Sequence, residues 1–274
     1  MIGKEVFLAR LGKWLTRGLI MIFAAAPIYA CLVVALTPRA HMLEAQLLPH
    51  YFQLSNFWES FQAVNTSIFN SFCYSISTVI LTLVLSIPVA YILARYEFKA
   101  KKTMLFGLLL TQMIAGIVIL PSLYGIYANI GFINSRFALI LTLTGVNLAL
   151  TIWLLFGFFA TIPKEVEEAA YIDGITFTKL IVQVIVPMSA PAIAVSAIFV
   201  FINSYNEFLI PMFLITDSSM QPITMKLYNY LTDTTILWPI VGSTALIGLF
   251  PPVIIFLFFQ KYIISGITAG AVKS

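Results

Sequence analysis

Ile162-Pro163-Lys164-Glu165-Val166-Glu167-Glu168-Ala169-Ala170-Tyr171-Ile172-Asp173-Gly174, continued through Thr176 to Pro187, is the longest strongly polar interruption in the second half of a very apolar chain. The stretch predicts two short helices joined by a hinge. Pro163 suits a first helical turn, where its missing N–H would have no partner anyway, and Glu165, Glu167 and Glu168 complement the positive end of the helix dipole. Gly174 closes that helix, because a residue without Cβ enters the left-handed conformation at no steric cost. A second helix is expected from the N-cap Thr176. Phe177, Leu180, Ile181 and Val184 repeat at i, i+3, i+4 and i+7, and Pro187 is expected to stop it. Two amphipathic helices on a loop between apolar runs present a surface shaped to fit a groove in another protein.

Working outward, 61% of the 274 residues are hydrophobic and 9% are charged. Soluble domains carry about a quarter charged residues, so the chain is expected to be an all-α integral membrane protein. Cys31 and Cys73 both lie in apolar surroundings and indicate neither a disulfide framework nor a metal site. No Gly-x-x-x-x-Gly-Lys-Ser/Thr loop occurs, so ATP is not expected to bind this chain by the usual phosphate loop. The net charge of +4 is distributed by membrane side rather than clustered on one face, which argues against a nucleic-acid partner. No cleavable leader is expected, since the first apolar run is long enough to span.

A bilayer core needs about 20 apolar residues per helix. That rule predicts six spans: 15–36, 68–94, 103–126, 137–160, 188–210 and 240–262. Residues 1–14 form an N-terminal segment, 15–264 the six-span domain including the loop 161–187, and 265–274 a tail. Residues 37–67, 127–136 and 216–239 are expected outside, the last with a short interfacial helix over 225–231. Pro251-Pro252 is expected to kink the sixth span. Of the fifteen Lys and Arg, only Arg39, Arg136 and Lys226 then fall outside. That asymmetry puts both termini and the loop 161–187 in the cytoplasm.

Polar side chains inside a bilayer are costly unless they face a partner helix or a wet cavity. Gln112, Asn147, Asn203 and Asn206 are therefore candidates for a translocation path. Helix-to-helix hydrogen bonding explains each of them equally well, usually at about 1 kcal/mol or less. Glu207, the one carboxylate in an apolar run, is placed near the outer surface by span length. It is read as solvated rather than as a proton carrier.

Glu168-Ala169-Ala170, three residues, Gly174, nine residues, then Val184-Ile185-Val186-Pro187 resembles the EAA loop of binding-protein-dependent ABC importer permeases. The family pattern ends Ile-x-Leu-Pro, and here Val replaces both aliphatics. Asn70-Ser71, Ala90-Tyr91-Ile92-Leu93-Ala94-Arg95 with Phe98, and Asn203-Ser204-Tyr205-Asn206-Glu207-Phe208-Leu209-Ile210-Pro211 resemble segments of its sugar-transporting branch, the maltose-transporter type of second permease subunit. In the last of these Tyr205 stands in a Trp position. The tail from Ser265 to Ser274 resembles the branch's Gly-Leu-Thr-x-Gly-x-Val-Lys-Gly ending, departing at the final residue.

The resemblance implies a type I ABC importer permease fold with a cytoplasmic coupling-helix loop, located in the inner membrane. It implies ATPase coupling through Glu168, Ala169, Ala170, Asp173, Gly174, Phe177, Leu180 and Pro187, and contact of the tail with the ATPases. The implied partners are a homologous second permease, two ATPase subunits that bind ATP and Mg, an extracytoplasmic solute-binding protein, a sugar substrate and membrane lipid. No cofactor or metal is implied on this chain. The same fold carrying a polyamine, phosphate or another small solute is the nearest rival. A secondary transporter would need an ionisable relay inside the membrane, which Glu207 alone does not make. An integral-membrane enzyme would need clustered His, Asp or Cys, whereas His41 and His50 both fall in the expected outer loop and no carboxylates pair in the spans.

Overall fold

The computed structural model describes residues 2–44, 48–114 and 116–271, with 2–11 and 263–271 described as helical backbone alone. The described elements are helical: α1 Ile2–Ala35, α2 Ser55–Arg95, α3 Lys101–Met113, α4 Gly116–Asn129, α5 Arg136–Phe159, α6 Lys164–Ile172, α7 Phe177–Lys179, a π-helix Leu180–Ile185, α8 Val186–Met188, α9 Ala190–Asn206, α10 Leu209–Leu214, α11 Ile223–Thr232 and α12 Trp238–Ala271. Among the described residues four helices are long and apolar enough to cross a membrane. They become six if the bent pairs α3 with α4, and Phe177–Met188 with α9, each count as one span.

The differences from the sequence-based spans have physical causes. α2 starts at Ser55 rather than at residue 68. Its 41 residues extend for about 60 Å, twice a hydrocarbon core of about 30 Å. Hydropathy finds only the lipid-crossing part of a helix that projects beyond it. The third span is two helices, because Ile114 leaves the helical region at φ −81°, ψ 118°. The fifth ends at Asn206, where Glu207 turns extended at φ −65°, ψ 131°. The expected interfacial helix is α11, and α12 contains both Pro251 and Pro252. Tail residues 272–274 lie outside the described residues.

The chain divides into two compact units, Met1–Asn65 with Lys226–Phe250, and Thr66–Met225 with Pro251–Ser274. In the first, buried Asn56 donates from Nδ2 to the carbonyls of Ala35 (2.9 Å) and Thr37 (3.0 Å), tying the end of α1 to the start of α2. The hydroxyls of Ser60 and Ser243 meet at 2.5 Å. Gly242 lets α12 approach α1 closely: a Cβ there would lie 3.0 Å from the Cys31 carbonyl oxygen.

The second unit has two apolar cores strung along α5. Ala138, Leu139 and Leu143 pack with Tyr74, Leu120, Tyr127, Ile210 and Leu214 at one end. Ile152, Leu155 and Phe159 pack with Tyr91, Leu93, Ala170, Leu180 and Ile185 at the other. The sixteen-residue step from Leu139 to Leu155 is about 24 Å of helix. Near the first core, α2 holds the segment before α11: Asn70 Nδ2 donates to the Ser219 carbonyl (2.8 Å), Tyr74 to that of Met220 (2.9 Å), and the Ile223 N–H to Ser71 Oγ (2.8 Å).

Candidate functional site

The loop between α5 and α9 is a built surface rather than a linker. Pro163 is the N-cap of α6 at φ −59°, ψ 138°, one position before the expected first turn. α6 ends as its sequence demands. Gly174 takes φ +76° and donates its N–H to the Tyr171 carbonyl (3.0 Å), while the Ile175 N–H reaches the Ala170 carbonyl (3.2 Å). These are the two bonds that satisfy a helix C-terminus when a left-handed residue follows it.

The inner face of α6 buries Glu167 and Ala170. Its outer face leaves Glu168, Ala169 and Asp173 accessible, with Ile172 at 86% exposure. Thr176 occupies the N-cap of α7 at φ −75°, ψ 157° without a capping bond from its side chain. Phe177 packs edge-on against Tyr91 at 5.7 Å, and Leu180, Ile181 and Ile185 anchor this arm in the core. Pro187 does not stop the helix. It lies within α8, where the first turn tolerates a missing N–H, and the chain turns by 83° between Met188 and Ala190. Of the eight predicted coupling residues, Glu168, Ala169, Asp173, Gly174 and Pro187 are accessible, Phe177 partly so, and Ala170 and Leu180 are core.

Glu167 does more than complement a dipole. It forms an ion pair with Arg95 at the end of α2, both side chains under a tenth accessible, and accepts a hydrogen bond from the Tyr91 hydroxyl at 2.6 Å. Arg95 Nη2 also donates to the Ile162 carbonyl at 2.9 Å. Exposed ion pairs contribute about 0–1 kcal/mol. Removing one partner of a buried pair costs about 3–5 kcal/mol, because the other charge is stranded. Arg95 resembles any loop cation in the sequence; its one pointer is the Tyr-x-x-x-Arg spacing, which puts Tyr91 and Arg95 on one helix face.

Gln112, Asn147 and Asn203 converge in a cleft of about 160 Å³ lined also by Leu143, Val146, Leu150, Glu207 and Ile210. Asn147 sits midway along α5, between the two cores. It donates from Nδ2 to the Leu143 carbonyl (2.8 Å) and to Ser204 Oγ (3.4 Å), and its Oδ1 accepts from Asn203 Nδ2 (3.4 Å). Gln112 Nε2 reaches the Val146 carbonyl at 3.4 Å. Asn206 is accessible but outside this lining. Glu207 joins the cleft instead, half-buried. Its Oε1 accepts from the N–H groups of Phe208, Leu209 and Ile210 at 3.1, 2.8 and 3.2 Å and so caps α10. Pro211, three positions into that helix, was the available sign that a new helix starts there.

A chain of apolar helices, opened by a polar cleft and interrupted by an anchored surface loop, defines a helical membrane permease. The fold is that of a chain of a bacterial ABC transporter involved in the import of the acidic polysaccharide alginate, matched with a TM-score of 0.80 over 93% of this chain and 96% of that one, at 20% identity. The family model for the binding-protein-dependent transport system inner membrane component matches residues 86–269. The sulfoquinovosyl glycerol transport system permease protein of Agrobacterium fabrum is 30% identical over 82% of this chain and 80% of its own length. The trehalose/maltose transport system permease protein of Thermococcus litoralis is 34% identical over 74% of each. The chain belongs to the family of inner membrane components of binding-protein-dependent transport systems. It is a multi-pass permease subunit of an ATP-driven importer, a transport component rather than an enzyme.

Proposed function

We propose that this subunit forms half of the path for a sugar or sugar derivative, moved by alternating access and driven through the loop 161–187 by ATPase subunits in the cytoplasm. The observation that carries this reading is the construction of the loop. α6 presents Glu168, Ala169, Ile172 and Asp173 outward and closes on a left-handed Gly174, while Ala170, Leu180 and Ile185 root it in the helical core. A surface both exposed and rigidly anchored transmits force; a slack loop would not.

The remaining partners are a second, homologous permease completing the path and an extracytoplasmic binding protein delivering solute. ATP and Mg belong to the ATPases. Both termini are assigned to the cytoplasm by the distribution of Lys and Arg. A sugar is favoured because both relatives above are named for sugar compounds and because the amides of Gln112, Asn147 and Asn203 each offer donors and acceptors to hydroxyl groups. Glu168→Lys tests the coupling role, since it reverses charge on the accessible face and leaves the core untouched. Membrane insertion is expected to survive, with ATPase co-purification weakened and uptake lost. Unchanged co-purification and uptake would refute it. Screening the partner binding protein against sugars, polyamines and phosphate decides the cargo.

A further inference from the structure

α6 has two buried residues: Ala170 packs into the apolar core, and Glu167 makes the polar tie that holds the helix in one orientation. That carboxylate is held from two points on one helix, the Tyr91 hydroxyl and the Arg95 guanidinium, both in the last two turns of α2. Arg95 also holds the Ile162 carbonyl, on the chain entering α6, so it grips both sides of the α6 N-terminus. The Tyr91 ring stands edge-on to Phe159 at the end of α5 and to Phe177 at the start of the second arm. Apolar side chains would fill this space without fixing rotation, whereas a charge pair with defined hydrogen bonds fixes both distance and angle.

We propose that Arg95, Glu167 and Tyr91 form a clamp that locks α6 to the inner end of α2, so that a displacement of the loop moves α2 with it as one body. The proposal rests on the reading of the loop as the ATPase contact and adds which span the contact drives. All three are positioning residues. None lies on the accessible face of α6, so their loss breaks transmission and leaves docking intact.

The test uses the whole importer, purified with its ATPase and binding proteins and reconstituted in vesicles. Glu167→Gln and Arg95→Met are expected to retain the ATPase in normal ratio and its basal hydrolysis. Stimulation by the loaded binding protein and uptake should both fall at least about tenfold. In a background with Cys31→Ser and Cys73→Ser, the pair Arg95→Cys and Glu167→Cys is expected to be equally uncoupled. Bridging the two thiols with a short bifunctional reagent should then restore uptake. Three results would overturn the clamp: uptake within about twofold of normal in Glu167→Gln, loss of the ATPase from that complex, or a bridged protein as inactive as the unbridged one. If Glu167→Gln fails to accumulate, Tyr91→Phe, which removes one hydroxyl, should cost about threefold in stimulated hydrolysis, and no change would equally overturn it. Failure of the unsubstituted chain to retain the ATPase would instead refute the coupling role of the loop.

Discussion

Replacing Gly174 separates backbone geometry from side-chain contact at the loop. Gly174 sits at φ +76°, and a Cβ built there meets no atom within 4 Å. Any penalty is therefore conformational rather than steric crowding. An L-residue in the left-handed region costs about 1–2 kcal/mol, and a β-branched one stands at the upper end of the 1–3 kcal/mol typical of strained backbone. If the turn relaxes to avoid that cost, the bonds from Gly174 to Tyr171 and from Ile175 to Ala170 go with it, at about 1 kcal/mol each. A penalty of about 2 kcal/mol shifts the turn population roughly thirtyfold. Asn is comparatively tolerant of the left-handed region, so the expected order of uptake is Gly, then Gly174→Asn, then Gly174→Ala, then Gly174→Val. The assay is uptake of labelled substrate by cells with matched membrane levels, read beside the ratio of ATPase co-purified. Equal activity of the Asn and Val variants, or Val within about twofold of normal, would show that the left-handed turn at Gly174 does not set coupling.

Other substitutions probe separate parts of the chain. Gly242→Val should cost about 1–3 kcal/mol by overpacking against Cys31 and Ala35, lowering thermal stability in detergent, whereas Gly157→Val, with open space around it, should not. Asn147→Leu removes the central amide of the cleft and strands Asn203, so uptake should fall at least about tenfold while the ATPase still co-purifies. Asp217 has its carboxyl held below the usual range by the Ser219 N–H and hydroxyl. A depressed value contributes stability above the unfolded value of about 3.9 and loses it as pH falls through the folded value. Asp217→Asn should therefore be less stable than the parent at neutral pH, and the difference should begin to shrink only below about pH 4 and vanish once the pH passes the lower folded value.

Much of the architecture is legible in the residues because lipid imposes a simple rule. The run 137–160 lies within a residue of α5, and the Gly174 turn follows from one residue type, whereas α12 runs on to Ala271, past the expected span end at residue 262. Signals of length fail where a helix is longer than its apolar run, as at α2, or breaks within one, as at Ile114, and α9 ends at Asn206, short of the expected residue 210. Charge was harder to read. Glu167 and Tyr91 are 76 positions apart, and nothing local tells a buried carboxylate from Glu168 beside it, which stays accessible. The cleft was half legible. Intramembrane polarity marks Gln112, Asn147 and Asn203, but α9 ends at Asn206 and the extended Glu207 turns to cap α10, and it is Glu207 rather than Asn206 that lines the cleft.

Whether an ATPase grips the α6 surface can be asked most directly at Ile172, at 86% exposure. With Cys31→Ser and Cys73→Ser as background, Ile172→Cys carrying a thiol-linked photo-crosslinker should form an adduct with the ATPase subunit in inverted membrane vesicles, at a yield that changes on adding ATP. Labelling of that same cysteine by an impermeant reagent in intact cells, with no adduct in the vesicles, would place α6 on the outer side and rule out its docking to an ATPase.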